Sequence, residues 1–94
     1  MQLMKTRYRV IFIGRVQGVG FRYTLASFAL EYNLVGFCRN LDSGDVELEI
    51  EGDEYNVDAF LDDVLKKKHM YVIIEDYHLK KIPLKEESSF RITY

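Results

Sequence analysis

The first segment of the chain alternates apolar and charged side chains. Every second residue is apolar, and the other face also becomes apolar near the end of the segment: Tyr8, Val10 and Phe12 on one face, Ile11 and Ile13 on the other. A period of two residues is typical of a β-strand. Apolar residues on both faces indicate a central strand. The pattern predicts a strand over residues 6–13.

The apolar spacing then changes to that of a helix. Three glycines, Gly14, Gly18 and Gly20, interrupt the strand pattern. The apolar residues that follow recur at positions i, i+4, i+7, i+8 and i+11: Phe21, Leu25, Phe28, Ala29 and Tyr32. This spacing predicts an amphipathic helix that begins at Phe21 and ends at Asn33, before Gly36.

A hairpin follows this helix. A short strand is predicted over residues 35–40. Residues 41–45 are of types that favour a turn. The next strand alternates strictly between apolar and acidic residues: Val46, Leu48 and Ile50 against Glu47, Glu49 and Glu51. We expect a half-buried strand with one face in the core and one acidic face in solvent.

The second helix is predicted to begin after Asp53, which is suited to the N-cap position. Its apolar residues form one stripe: Val57, Phe60, Leu61, Val64 and Leu65. Three lysines at residues 66–68 lie at its C-terminal end, where cations are favoured. Two further strands are predicted over residues 71–79 and 90–94, with Pro83 between them.

The element order is therefore β-α-β-β-α-β with a short extra strand at the C-terminus. This is the ferredoxin-like split βαβ plan, an α+β fold. Two helices with one apolar stripe each are expected to cover one face of a mostly antiparallel sheet. The 94 residues form one domain, residues 1–94, on this reading.

The distribution of charge along the chain is more informative about function than the net charge of −2. Residues 1–40 hold six basic residues and one acid, whereas residues 41–94 hold seven basic and fourteen acidic residues. A net negative chain argues against general nucleic-acid binding. Most of the early basic residues are arginines, which bind carboxylate and phosphate groups well. We expect Arg7 and Arg9 to be ordinary charges on a solvated face.

Cysteine usage and hydropathy bear on location. A single cysteine, Cys38, excludes an intrachain disulfide, which fits a reducing compartment. We interpret Cys38 as a small apolar strand residue, with a reactive thiol as the alternative. No apolar run is long enough to cross a bilayer, and no signal peptide is recognisable. These features favour a cytoplasmic protein.

The glycine loop, residues 15–20, is the candidate site. A loop between a strand and a helix N-terminus offers unpaired N–H groups and the positive end of the helix dipole, which suit an anion. Arg22 in the first helical turn adds a charged fork. The spacing fits neither a nucleotide P-loop nor a dinucleotide fingerprint. On spacing alone, an anion site and a set of simple tight turns both remain open.

The full stretch GRVQGVGFR at residues 14–22 resembles the signature of the acylphosphatase family. GFCRN at residues 36–40, followed by GDVE at residues 44–47, resembles a second signature of that family. FRITY at residues 90–94 resembles its closing strand. The similarity extends over nearly the whole chain. Two stretches depart from it: KKHMY at residues 67–71, where family members often carry a Gly-Pro pair, and the Lys/Glu-rich residues 79–89.

The resemblance implies an enzyme that hydrolyses acyl phosphates to a carboxylate and inorganic phosphate, without a metal or an organic cofactor. It implies that Arg22 holds the phosphate and that Asn40 positions the attacking water. It also implies a cradle of backbone N–H groups from the glycine loop: Arg15, Val16, Gln17, Gly18, Val19 and Gly20. The ordinary alternatives are a helix-surface ion pair for Arg22 and a simple turn role for Asn40.

Neighbouring polar residues are expected to lie outside the site. Arg39 should point to the opposite sheet face from Asn40, because strand side chains alternate. We interpret His69 and His78 as surface or strand residues.

Two other functions share this fold. An RNA-binding domain would stack bases on its sheet face, but the glutamates of the third strand would repel phosphates. A non-catalytic or carbamoyl-phosphate-handling module is the second alternative, since similar domains occur inside larger maturation proteins. The absence of an attached domain after Tyr94 favours a stand-alone enzyme. The expected partner is a small acyl phosphate, with no nucleic acid and no membrane, and we expect a monomer.

Overall fold

The structure, a computed structural model, describes residues 4–94. It has seven elements: β1 Lys5–Arg15, α1 Phe21–Glu31, β2 Val35–Asn40, β3 Val46–Asp53, α2 Glu54–Lys66, β4 Ile73–Ile82 and β5 Phe90–Thr93. The predicted order of strands and helices is confirmed. The fourth strand lies further along the chain than the predicted residues 71–79.

The five strands form one sheet in the order β4-β1-β3-β2-β5. The pairs β1–β3, β1–β4 and β2–β3 are antiparallel, and β2–β5 is parallel. The two central strands, β1 and β3, therefore lie side by side although a helix and a strand separate them in the chain. This is the mostly antiparallel ferredoxin-like sheet predicted from the element order.

Both helices pack on one face of the sheet and form the core with it. The predicted apolar stripes supply the buried residues, including Phe21, Leu25 and Ala29 of α1 and Val57, Phe60 and Val64 of α2. The rings of Phe12 and Phe21 meet edge to face, with centroids 5.1 Å apart. The hydroxyl of Tyr32 donates to Asp63 and joins the two helices. Neither of the helices in residues 4–94 is long and apolar enough to span a membrane.

The other face of the sheet differs from the prediction. Glu47, Glu49 and Glu51 were expected in solvent, but they are only 4%, 7% and 3% exposed. Arg7, expected on a solvated face, is fully buried. The reason is the strand register, which places Arg7 opposite Glu51 and Arg9 opposite Glu49. Opposite charges on neighbouring strands neutralise one another, so this face tolerates burial.

Residues 83–89, which we call the cover segment, complete the burial of this face. The backbone N–H groups of Lys85 and Glu86 donate to the carboxylate of Glu51 at 2.8 and 3.0 Å. Glu87 approaches Arg7 Nη1 at 2.9 Å. Of the Lys/Glu-rich residues 79–89, which matched no recognisable pattern in the sequence, residues 79–82 therefore belong to β4 and residues 83–89 cover a buried charge network.

Two local predictions need smaller corrections. Asp53 does occupy the N-cap position of α2, but its side chain makes no capping hydrogen bond. His69 is neither a strand residue nor fully exposed. It lies in the loop after α2, half-buried against Phe28, with Nε2 3.2 Å from the carbonyl oxygen of Val64.

Candidate active site

The candidate residues come together at one edge of the sheet. Val46, the first residue of β3, pairs with Phe12 of β1 on one side and with Asn40 of β2 on the other. The end of β1 that leads into the glycine loop and the end of β2 that carries Asn40 are therefore neighbours across β3. The loop then leads directly into α1, which begins at Phe21.

The glycine loop has a backbone conformation that requires glycine. Gly18 and Gly20 have φ values of 72° and 79°, in the left-handed region. A Cβ at either position would meet no atom within 4 Å, so conformation rather than space explains the residue type. At Gly14, by contrast, a Cβ would lie 2.2 Å from the carbonyl oxygen of Ile73. Gly14 therefore belongs to the irregular pairing of β1 with β4, and the glycine loop begins after it.

The loop is anchored by its apolar side chains and leaves its amides available. Val16 is buried and Val19 packs against the core, while Gly18 and Gly20 are exposed. Among residues 4–94, no protein acceptor is found for the backbone N–H groups of residues 16–20. Helix α1 has no side-chain N-cap and no acid in its first turn. Free donors and an uncompensated helix dipole make this end of α1 suitable for an anion.

Arg22 lies in the first turn of α1, half-buried. No acidic side chain within the described residues forms an ion pair with it, so the helix-surface ion pair considered from the sequence is wrong. The guanidinium carbon lies 5.1 Å from the ring centroid of Tyr94, a cation–π contact. Its charge therefore has no competing carboxylate within the described residues.

Cys38 lies beneath this helical turn. Its thiol is fully buried, and Sγ lies 3.8 Å from the backbone carbonyl oxygen of Arg22. Burial raises the pKa of the Cys38 thiol to about 12, against a smaller opposing effect of the Arg22 charge. The thiol is therefore protonated at neutral pH and is no nucleophile. The interpretation as a small apolar strand residue is confirmed.

Asn40 is the last residue of β2 and pairs with Val46, so it belongs to the strand and not to the turn. Its Oδ1 is buried and accepts no hydrogen bond from the described residues. Buried acceptors almost always have a partner, so this atom is a candidate acceptor for a water or a substrate. Arg39 points to the other face, as predicted, where Nε donates to Glu47 at 2.6 Å.

The structure adds a side chain that sequence reasoning missed. Only the backbone of Gln17 was expected to contribute, but its Nε2 donates to the carbonyl oxygens of Leu41 and Asp45 at 2.7 and 2.8 Å. The sole signal in the sequence was a long polar side chain among the valines and glycines of residues 16–20. Its partners are 24 and 28 positions away, beyond the reach of any local pattern.

Within residues 4–94, no group of three or more His, Cys, Asp or Glu side chains is arranged to hold a metal ion. His78 is exposed on β4, and His69 packs against Phe28 at the end of α2. The candidate site consists of backbone amides, the Arg22 guanidinium and the carboxamides of Asn40 and Gln17. Groups of this kind position a substrate and stabilise charge.

Fold and site together define a class: small α+β proteins with a ferredoxin-like sheet whose first strand–helix loop presents free backbone donors beside an arginine. Comparison with known proteins makes the class specific. The family model described as Acylphosphatase matches residues 8–92. The chain belongs to the acylphosphatase family.

Curated relatives match this chain over most of their own length. An acylphosphatase of Clostridium acetobutylicum is 41% identical over 92 residues, which is 97% of this chain and 100% of the relative. Acylphosphatases are acid anhydride hydrolases. The chain is accordingly a hydrolase that cleaves the carboxyl-phosphate bond of acyl phosphates.

Solved structures are similar throughout. The crystal structure of the Bacillus subtilis acylphosphatase has a TM-score of 0.88 and 35% identity, covering 97% of this chain and 100% of that one. Full-length HypF in its phosphate- and nucleotide-bound form has a TM-score of 0.93 and 29% identity. The chain as a whole spans only 12% of that longer protein.

Proposed function

We propose that the glycine loop and Arg22 hold the phosphate group of the acyl phosphate and that Asn40 orients the attacking water. The observation that carries the proposal is the meeting of these groups at one sheet edge, with Gln17 of the loop bonded to Leu41, the residue after Asn40. A nucleophile and a phosphate bound on neighbouring elements are held in fixed relative positions, which is the main requirement of this reaction.

The phosphate is held by backbone donors of the glycine loop: Arg15, Val16, Gln17, Gly18, Val19 and Gly20. The N–H groups of residues 16–20 have no acceptor within residues 4–94 and lie at the positive end of the α1 dipole. The Arg22 fork adds two parallel charge-assisted hydrogen bonds. These groups stabilise the charge on the equatorial oxygens as the anhydride bond breaks.

Asn40 acts on the water. Its buried Oδ1 accepts a hydrogen bond from one O–H of the water and directs the oxygen lone pair at phosphorus. An amide does not accept a proton at neutral pH, so Asn40 orients the water only. The bond from water oxygen to phosphorus forms as the acyl C–O–P bridge breaks at phosphorus. The carboxylate leaves with the electron pair, and a phosphate oxygen of the substrate takes the water proton.

The proposal includes no metal and no cofactor, because the anhydride is already activated and its leaving group is stable. It places a single domain, residues 1–94, in the cytoplasm as a monomer whose partner is a small molecule. Nucleic acid is not proposed as a partner, although the glutamates of β3 do not repel phosphates as the sequence suggested. The glutamates are neutralised rather than exposed, but the cover segment occupies the sheet face on which bases would stack.

The similarity to HypF supports a second candidate function. In that function the chain is a phosphate-handling module that does not hydrolyse its substrate. Relatives that match this chain from end to end and are named acylphosphatase favour the enzyme. The two candidates differ in one measurable property, namely turnover by the isolated chain.

The test is an assay of the purified protein in excess chelator with a panel of acetyl, benzoyl and carbamoyl phosphate. We expect hydrolysis of all three, since the proposed contacts grip the phosphate and not the acyl group, and competitive inhibition by inorganic phosphate. Activity that appears only after a divalent cation is added would contradict the metal-free mechanism. Phosphate binding without turnover would identify the module instead.

A further inference from the structure

The side chain of Gln17 joins the two parts of the proposed site. Its Nε2 donates to Leu41 O at 2.7 Å and to Asp45 O at 2.8 Å. Leu41 and Asp45 are the two ends of the β2–β3 turn, which closes on itself through hydrogen bonds from Leu41 N to Asp45 O and from Gly44 N to Leu41 O. One carboxamide thus grips both ends of the turn that follows Asn40.

This contact is the hydrogen-bonded connection between loop and turn. Within the described part of the chain, no other hydrogen bond joins residues 16–20 to residues 41–45. The loop contains two glycines in left-handed conformation, and glycine restricts the backbone less than any other residue. Without the carboxamide, the loop and the turn are held relative to one another only by packing and by the strand ladder.

Gln17 is unsuited to bind phosphate with its side chain. A carboxamide has two N–H donors, and the two backbone carbonyls occupy both. The remaining group, Oε1, is an acceptor and repels phosphate oxygens. Any effect of this side chain on the reaction must therefore pass through the elements that it connects.

We infer that Gln17 is a positioning residue that sets the distance between the bound phosphate and the water held by Asn40. The inference rests on the proposed roles of the glycine loop and Asn40. A displacement of about 1 Å between reacting groups is enough to reduce a rate about 100-fold. The hydrogen bond from Gln17 fixes Leu41, the residue after Asn40, to the loop. It therefore affects turnover more than phosphate affinity.

The test is the variant Gln17→Met, which keeps the length of the side chain and removes both donors. We expect kcat to fall by about 10-fold or more. The inhibition constant for inorganic phosphate should change by less than about 3-fold, because the loop amides and Arg22 remain. Gln17→Leu, which also lacks both donors and adds no charge to the loop, should show the same split and serves as a second variant.

A matched control removes a different hydrogen bond at the other end of the loop. Thr24 Oγ1 donates to Gly20 O at 3.3 Å, and the backbone N–H of Thr24 donates to the same oxygen at 3.1 Å. Thr24→Val keeps the backbone bond. It should leave kcat and phosphate inhibition within about 2-fold of the parent enzyme.

A double-mutant cycle decides whether Gln17 acts through Asn40. In an Asn40→Ala background, Gln17→Met should reduce kcat by less than about 2-fold, since the water is no longer held. A full additional loss, or an increase in the phosphate inhibition constant as large as the loss in kcat, would overturn the inference. So would an unchanged kcat in Gln17→Met with only a lower free energy of unfolding. If Asn40→Ala itself keeps full turnover, the proposed role of Asn40 is wrong, and the inference falls with it.

Discussion

Arg7 Nε donates to Glu49 Oε1 at 2.9 Å, and the Arg7 side chain is fully buried. The same guanidinium reaches Glu51 at 3.1 Å and Glu87 at 2.9 Å. One buried cation thus neutralises carboxylates from β3 and from the cover segment. Because Arg7 contacts carboxylates on both β3 and the cover segment, the network links the sheet to residues 83–89.

Arg7→Met should lower the free energy of unfolding strongly. The substitution keeps a long apolar side chain but removes the buried cation that Glu49 and Glu51 share, and loss of one partner of a buried ion pair typically costs about 3–5 kcal/mol. Chemical denaturation measures the loss. We also expect earlier proteolytic cleavage in the cover segment, because Glu87 loses its contact with β1.

Arg9→Met is the matched control on the same strand and the same face. The Arg9 side chain is 43% exposed, and its partner Glu47 is also bound by Arg39. Removing it should cost about 1 kcal/mol or less, as for partly exposed ion pairs. Equal destabilisation by the two substitutions would show that burial of Arg7 does not determine its contribution.

Stability should fall in acid because of Glu49 and Glu51. Burial raises the pKa of each carboxyl, but Lys85 and Arg7 outweigh it, so both pKa values lie below the ordinary 4.5. A carboxyl whose pKa is lowered on folding stabilises the protein fully above its unfolded pKa. That contribution is lost as the pH falls through the folded pKa.

We therefore expect the urea midpoint to decrease as the pH is lowered from about 6 to about 3, with most of the decrease below the ordinary carboxyl pKa. The Glu49→Gln, Glu51→Gln double variant should be less stable at neutral pH and should show a shallower decrease. A decrease as steep as in the parent protein would place the responsible carboxyls elsewhere.

These two residues also show where sequence reasoning stops. The alternation of Val46, Leu48 and Ile50 with three glutamates identified the strand and its core-facing side. It did not reveal that the acidic side is buried, because the neutralising charges come from β1 and from the cover segment. Arg7 and Glu51 are 44 positions apart, so only the strand register brings them together.

The sequence likewise predicted one part of the candidate site and not another. Gly18 and Gly20 indicated the loop, because only a special backbone conformation explains glycine there, and the element order placed Asn40 at a strand end. The side-chain contact of Gln17 with the turn depends on how the hairpin packs against the loop. No local pattern contains that information.

Cys38 should not react with thiol reagents in the folded protein. Burial raises its pKa to about 12, so almost no thiolate exists near pH 8, and its sulfur is fully covered. Ellman's reagent should label the native protein only at the rate of unfolding, and should label it at once in guanidinium chloride. Rapid labelling without denaturant would show that the β2–α1 contact opens readily.

Arg22→Ala should abolish both phosphate inhibition and turnover, because it removes the only side-chain cation proposed to contact the phosphate. Arg22→Lys keeps the charge but loses the bidentate fork, so we expect weak phosphate inhibition and a kcat that remains about 100-fold or more below the parent value. Isothermal titration with phosphate and steady-state kinetics measure the two effects.

The control for Arg22 is Arg91→Ala, which removes an equal charge from β5. The Arg91 side chain is 57% exposed and pairs with Glu87 on the surface. Its removal should leave phosphate binding and kcat nearly unchanged. Similar losses in both variants would mean that general positive potential, not a contact from Arg22, attracts the phosphate.

Asn40→Ala should separate binding from chemistry. The loop amides and Arg22 remain, so the inhibition constant for phosphate should stay within about 3-fold of the parent value. Turnover should fall by about 100-fold or more, the effect of removing one preorganised polar group. Arg39→Ala, on the neighbouring residue of the same strand but the opposite face, controls for damage to β2 and should keep most of the activity. If Asn40→Ala loses phosphate affinity as strongly as Arg22→Ala does, Asn40 contacts the phosphate itself, and the division of roles between the two side chains is wrong.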